Sequence, residues 1–447
     1  MTERSVWVVV GAGSAGCVVA SRLSEDSERT VVLIEAGPDL RPGEVPPGIS
    51  SMDALAAVEV DGRTWPDLAA TRVAGGAPTR YLRGRGVGGS SAVNALVALR
   101  GSSAQYERWG WDDIDDMWQR CRIPEELAHP DEFGPIDRAL LRAEADAAPV
   151  PLTRRAGRRV SSAQAYLWPA SNRPNLDVRA GSQVDRIQFV GRNASGVRLL
   201  DGSEVGADRV VLCAGALHSP AILLRSGVDT PGVGEGLQDH PSVPLTLRYR
   251  PDASPAGGGL VTATVLQRGD LQVLPMNHLG GDHTGHGLLL VALMRPVGHS
   301  GTVRLASEDP TASPVVDFDL LSDPSDVERL RAGVRLGLAI TRSDPFEEIL
   351  DDVLIDAVGT PADALTTDDE IDRWLSAVTG DYVHATGTCA MGTVVDGDAA
   401  VVGYDRLHVC DASVFPSIPD VNTHLPVTML AERLSTRWRT GGFDRTR

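Results

Sequence analysis

The sequence predicts an α/β fold, a parallel sheet flanked by helices with an antiparallel sheet inserted into the chain, and three observations predict it. Residues 6–36 read as an apolar strand, a glycine turn, a helix and a second strand ending in an acid. Residues 208–215, D-R-V-V-L-C-A-G, read as another parallel strand that runs into a glycine and a helix over 220–224. Between 243 and 320 come four strand-like runs, S-V-P-L-T-L-R-Y-R, D-L-Q-V-L-P-M, G-L-L-L-V-A-L-M and G-T-V-R-L-A, which suggest an antiparallel sheet.

The first unit carries G-A-G-S-A-G at 11–16. Gly11 permits the tight turn after the strand, Gly13 lets backbone approach a pyrophosphate, and Gly16 lets the helix lie close on the sheet. Ser14 and Ala15 open that helix, whose unpaired N–H groups and positive dipole end favour an anion. Glu35 stands 19 residues after Gly16 and can accept hydrogen bonds from a ribose diol. Its charge disfavours a 2'-phosphate, which favours FAD or NAD over NADP.

Further along, 37–83 reads as a long loop region, and 84–101 as a glycine-rich turn leading into an apolar segment. Helical patterns lie at 112–120, 136–147, 326–341 and 368–377, and 176–212 alternates strands with turns. The tail holds His384 in H-A-T-G-T-C-A-M-G and, 40 residues on, His424 in N-T-H-L-P-V-T-M-L-A-E-R. Between them a short strand ends at Asp411, and from Pro426 onward the pattern is helical, with the proline in the first turn.

At 447 residues the chain is long enough for two substructures. Its net charge is −18 and it contains no lysine, so all 42 basic residues are arginine. That absence reads as the mark of a GC-rich genome, such as an actinobacterial one. The acidic balance argues against nucleic acid or an anionic membrane as partner. Five scattered cysteines without a C-x-x-C pair fit reduced thiols. No apolar run approaches membrane-spanning length, and the residues before Gly11 do not read as a signal peptide, so a cytoplasmic protein without stable membrane insertion is expected. His278, His283 and His286 have a spacing that suggests metal ligands, but the glycines around them read as loop, and no metal site is expected.

With FAD bound, a histidine is what alcohol oxidation requires. The hydroxyl proton must leave as a hydride moves from the carbinol carbon to flavin N5, and a second imidazole can hold the substrate oxygen. From Val6 to about Arg437 the chain resembles the glucose-methanol-choline (GMC) oxidoreductases, FAD enzymes that oxidise alcohols. The resemblance rests on the glycine unit, on G-R-G-V-G-G-S-S-A-V-N at 84–94, on G-A-L-H-S-P-A-I-L-L-R-S-G-V at 215–228, on P-G-V-G-E-G-L-Q-D-H at 231–240, and on the two tail histidines. It implies a glutathione-reductase-like, Rossmann-like FAD-binding domain comprising 1–120, 159–240 and 383–447, with a substrate domain comprising 121–158 and 241–382.

By that resemblance His384 is the catalytic base and His424 the second active-site position, His or Asn in other members. Glu35 is implied as ribose ligand, Gly89, Ser90, Asn94 and Ala95 as the flavin-side turn, Val184 as adenine-side contact, Asp411 with Ala412 as the pyrophosphate end, and Thr423 and Pro426 as further cofactor contacts. Some members attach FAD through a histidine just before the Asn of the first motif; here Val93 occupies that place, so non-covalent FAD is expected. The partners implied are a small-molecule alcohol and an acceptor, which is oxygen, a quinone or a redox carrier; the sequence sets no oligomeric state. Departures are Asp229 in place of the usual glycine, a missing stretch between Val228 and Pro231, and a shortened segment from Trp118 to Arg158, so the substrate is not inherited from any one relative. His218 and Ser219 read as structural and His240 as the holder of a loop. A few GMC relatives are lyases that keep FAD as scaffold and cleave cyanohydrins, which leaves a hydroxynitrile-lyase type as the alternative.

Overall fold

The computed structural model describes residues 4–255, 259–281 and 285–440. Its centre is a five-stranded parallel sheet in the order Leu176–Arg179, Arg29–Ile34, Ser5–Val10, Arg209–Leu212 and Leu407–Val409. Val8, Val9, Val32, Leu33, Val210 and Val211 are buried, as expected of a parallel sheet covered on both faces. The glycine turn after the first strand is forced: Gly11 has φ +98, and a Cβ there would lie 2.6 Å from the Cys213 carbonyl oxygen. A Cβ at Gly16 would sit 1.8 Å from the Gly11 oxygen, so only glycine lets helix Ser14–Leu23 close onto the turn.

That helix packs against the long helix His424–Arg439. Arg22 ties the two together, its Nε and Nη2 each 2.8 Å from the fully buried Glu432 carboxylate. The last helix is therefore fixed to the nucleotide-binding motif, which aims its first turn.

A second sheet has six antiparallel strands in the order Leu350–Leu354, Ser242–Tyr249, His286–Leu293, Leu271–Met276, Thr264–Arg268 and Ala147–Pro149. One face packs on helix Pro324–Thr341, where a Cβ at Gly333 or Gly337 would come within 3.0 Å of Leu271, Leu245 or Val291 side chains. The other face roofs a cavity.

Three sequence expectations change. The run G-T-V-R-L-A does not join this sheet; Gly301–Arg304 pairs with Glu235–Leu237 and Val315–Asp317 instead. The helix expected over 136–147 is Pro135–Ala143, because Ala147 and Ala148 pair with Leu266 and Val265 at the sheet edge, a tertiary pairing that overrides alanine's helix preference. The helix expected over 220–224 begins five residues earlier, at Gly215, and carries Pro220 inside it. Proline cannot donate to the Ala216 carbonyl, and the Thr388 hydroxyl does so instead at 2.6 Å.

Among the described residues no helix is long and apolar enough to cross a membrane.

Candidate active site

A cavity of about 470 Å3 lies between the two sheets, and most of the residues singled out in the sequence line it. Gly11, Gly13, Ser14, Ala15, Glu35, Gly89, Ser90, Asn94, Ala95, Val184, Asp411, Ala412, Thr423, His384 and His424 are all on its wall. Gly16 and Pro426 are not: Gly16 packs under the turn, and Pro426 lies buried in the first turn of the last helix, where Val427 reaches the wall in its place. Pro426 supplies the helix a residue with no N–H at a position where that group would have no intrahelical partner.

The end of the cavity nearest the glycine turn is shaped by backbone. Glu35 accepts from the N–H groups of Gly37 and Gly86 at Oε1 and of Ala12 at Oε2, which locks two loops together and leaves Oε2 able to take one more donor. A Cβ on Gly89 would lie 2.6 Å from the Gly13 Cα, so two loops meet backbone to backbone. Asp411 accepts from Gly215 N–H, the Ser219 hydroxyl and Ser413 N–H, which fixes the start of the Gly215 helix beside the pyrophosphate motif. Ser219 is thus structural, as expected. His218 is not only that: its ring stacks on Trp65 at 4.3 Å and lines the cavity, and burial lowers it to about 4.

Asn94 is held by Arg159, which sequence reading missed. Arg159 is fully buried and donates from Nη1 to the Asn94 carbonyl and Oδ1, at 2.6 and 2.8 Å, so the amide NH2 of Asn94 is the end left to donate. Nothing in the local R-R-V-S-S pattern marks one arginine for burial.

At the other end the two tail histidines line one wall. His384 is placed by Asp239, whose carboxylate accepts from the N–H groups of His240, Tyr382 and His384 and from the Tyr81 hydroxyl, between 2.7 and 3.1 Å. Burial, then the charge of Asp381, pushes Asp239 up to about 7. Every group aimed at it is a donor, so the site is built for the carboxylate. Val383, between Tyr382 and His384, has φ +55, a left-handed backbone rarely adopted by a β-branched residue. Its N–H donates to Asp381 and its carbonyl accepts from Arg83.

The ring of His384 is oriented by His240. Burial lowers His240 to about 4, and burial with the charges of His240 and Arg83 lowers His384 well below the usual histidine range, so both rings are neutral at pH 7. His240 Nε2 lies 2.8 Å from the Pro419 carbonyl, which can only accept, so the one proton of His240 sits on Nε2. Its Nδ1 is then a lone pair 2.9 Å from Nδ1 of His384. His384 therefore donates from Nδ1, and its Nε2 carries the lone pair, with Asn422 Nδ2 at 3.5 Å. His240 does more than the loop-holding expected of it, for it sets the tautomer of its neighbour.

His424, the first residue of its helix, is the counterpart: buried, lowered to about 4 by burial and then by Arg159, with no hydrogen-bond partner at either ring nitrogen. Two unsatisfied imidazole nitrogens in a buried cavity require a ligand or water. Asn422, also on the wall, has a buried Oδ1 without a partner.

Asp239, His240 and His384 bring potential ligand atoms within 4.8 Å of one another. Their hydrogen bonds occupy the oxygens of Asp239 and both nitrogens of His240, which explains the cluster without a cation. His278 is buried and His286 lies in the six-stranded sheet opposite Arg248, while His283 is outside the described residues.

A glycine-turn dinucleotide cradle, a carboxylate at the ribose position and paired imidazoles at the far end define a flavin-dependent oxidoreductase. Residues 6–124 and 141–242 match one GMC oxidoreductase family domain and residues 297–431 the other, so the chain belongs to the GMC oxidoreductases. It is 32% identical to 5-(hydroxymethyl)furfural oxidase of Methylovorus sp. (strain MP688), over 96% of this chain and 97% of that one. It is 30% identical to the oxygen-dependent choline dehydrogenase of Paraburkholderia phytofirmans, over 96% of this chain and 93% of the relative. Among solved structures, pyridoxine 4-oxidase from Mesorbium loti superposes with a TM-score of 0.87 at 26% identity, covering 98% of this chain and 99% of the other. The protein is accordingly an FAD-dependent enzyme that oxidises alcohols, with the Rossmann-like α/β fold and antiparallel substrate sheet of that family.

Proposed function

We propose that His384 is the general base of the reaction and His424 the residue that positions the hydroxyl. The observation that carries this reading is the hydrogen-bond chain from Pro419 through His240 to Nδ1 of His384, which leaves Nε2 as a lone pair at the cavity wall. FAD, when bound, supplies the acceptor at N5 for the hydride leaving the carbinol carbon.

The residues of the chain do the rest. His384 Nε2 takes the hydroxyl proton, and the positive charge that develops on its ring is shared through Nδ1–H with His240 and lies near the Asp239 carboxylate. His424, with two uncommitted nitrogens, holds the substrate oxygen from the side of the helix N-terminus, where the dipole favours a forming alkoxide. The first N–H groups of helix Ser14–Leu23, Glu35, Val184, Asn94, Asp411 and the Thr423 segment hold the cofactor. Val93 offers no atom for a covalent bond, so FAD is held non-covalently and acid precipitation should release it intact into the supernatant.

Anaerobic mixing of the purified holoenzyme with an alcohol panel tests the reading: flavin absorbance should bleach. A lyase of hydroxynitrile type would leave it yellow. Air against a quinone as reoxidant then separates an oxidase from a dehydrogenase.

A further inference from the structure

We infer that the alcohol is uncharged and carries an apolar body, rather than a quaternary ammonium, a polyol or a carboxylate; this rests on the alcohol-oxidation reading above. The cavity face of the six-stranded sheet supplies Leu274, Met276 and Leu290, with Leu274 and Leu290 directly opposite in the antiparallel register. Val97, Val261 and Leu55 line the same cavity. None of these side chains can donate a hydrogen bond or neutralise a charge, and the Met276 thioether is the one weak acceptor among them.

Apart from Nε of Arg83 and one lone pair of Glu35 at the ribose end, the charged groups on the cavity wall are already engaged. Asp381 is bonded to Arg72 at 2.7 Å and to Val383 N–H, and Glu35 and Asp411 each accept from three donors. Arg225 donates to the Asp185 carbonyl, and Arg83 donates from Nη2 to Tyr81 and Val383. Among the described residues, then, no uncommitted carboxylate lies on this wall to receive a trimethylammonium group, and the phenol and indole that line it are Tyr382, edge-on to His384, and Trp65, already stacked on His218. An aromatic cage for such a cation needs more.

The polar side chains near the apolar strands are spent on the protein as well. Thr262 donates to the Thr264 carbonyl at 3.3 Å and Tyr382 to Gln272 at 2.8 Å. Beyond the Oδ1 of Asn422 and the ring nitrogens of His424, the extra hydroxyls of a polyol would be desolvated without partners, while each methylene of a hydrocarbon body would leave water for apolar surface. Arg83 has a buried Nε without a partner, which makes a hydroxy acid the sharpest counter-test.

The experiment is anaerobic stopped-flow reduction of the holoenzyme by ethanol, butanol, hexanol, benzyl alcohol, choline, glucose and 4-(hydroxymethyl)benzoate, with flavin difference spectra read on binding. The second-order rate of reduction should rise about fourfold per added methylene in the linear series. Choline, glucose and the benzoate should each react roughly 100-fold more slowly than benzyl alcohol, the loss expected when a charge or several hydroxyls go unpaired. A flat series, or choline, glucose or the benzoate outpacing benzyl alcohol, overturns the inference and leaves alcohol oxidation standing. If nothing bleaches the flavin, the oxidation reading fails instead, and the difference spectra still report the pocket: hexanol should perturb the flavin and choline should not. Met276→Gln, checked for unchanged FAD absorbance and Tm, should lower the chain-length slope; an unchanged slope would show that the body lies elsewhere.

Discussion

Near Glu35 the cavity wall is largely backbone, in which the 11–16 turn leaves no room for a Cβ at Gly11 or Gly16 and meets the 86–89 loop backbone to backbone. Near His384 the wall is assembled from side chains of segments far apart in sequence: Tyr81 and Arg83, Asp239 and His240, the sheet residues around Leu274, and the tail. The difference teaches where each function is vulnerable. Cofactor binding depends on geometry that one atom can destroy, whereas proton transfer depends on a chain of hydrogen bonds that can be weakened link by link.

Gly11→Ala attacks the first region and should have the largest effect. Its Cβ would lie 2.6 Å from a carbonyl oxygen in a left-handed conformation, so purified protein should lose its yellow absorbance and all turnover. A variant that retains FAD would show that the turn is not the cradle.

His384→Ala attacks the second region and should slow flavin reduction by about 100-fold or more with the bound FAD spectrum intact. Unchanged reduction kinetics would sink the base assignment. His240→Phe removes the acceptor for Nδ1–H while keeping a flat ring, and roughly tenfold slower reduction is expected, with the acid limb of the pH–rate profile displaced. A purely structural role would lower Tm but leave that limb in place.

A further effect, of pH on stability, spans both regions. Burial lowers His218, His240 and His424 to about 4 and His408 to about 3. An unfolded histidine titrates near 6.5, so between those values the unfolded chain binds the extra proton and stability falls as pH falls, by up to ~1.4 kcal/mol per pH unit for each ring. Above about 6.5 the contribution is complete. Asp239, raised to about 7, opposes this by binding its proton in the folded state over the same range, but one carboxyl offsets only one ring, so urea midpoints should still fall from pH 7 to 6 to 5; midpoints that rise would mean that these rings are not held neutral.

The two regions also differ in how they are read from sequence. Gly11, Gly13, Gly16 and Glu35 announce themselves because a turn that excludes a Cβ at Gly11 and Gly16 leaves a fixed spacing. His384 and His424 were found by family resemblance, not by spacing, and each alone resembles any buried histidine. Arg159 and Asn422 were missed because nothing near them in sequence says what will pack against them, and the role of His240 depends on Pro419, 179 positions away. The helix ending at Ala143 and the strand Gly301–Arg304 show the same limit in the fold: partners distant in sequence decide which local preference survives.

Val383 carries one more consequence. A β-branched residue held at φ +55 between Asp381 and Arg83 costs of order 1–3 kcal/mol, and it sits one peptide from the base. Evolution under selection for heat tolerance alone would discard it. Val383→Asn, which accepts that torsion more readily, should raise Tm while slowing turnover, so a thermostability campaign on this enzyme would trade away speed at this position first.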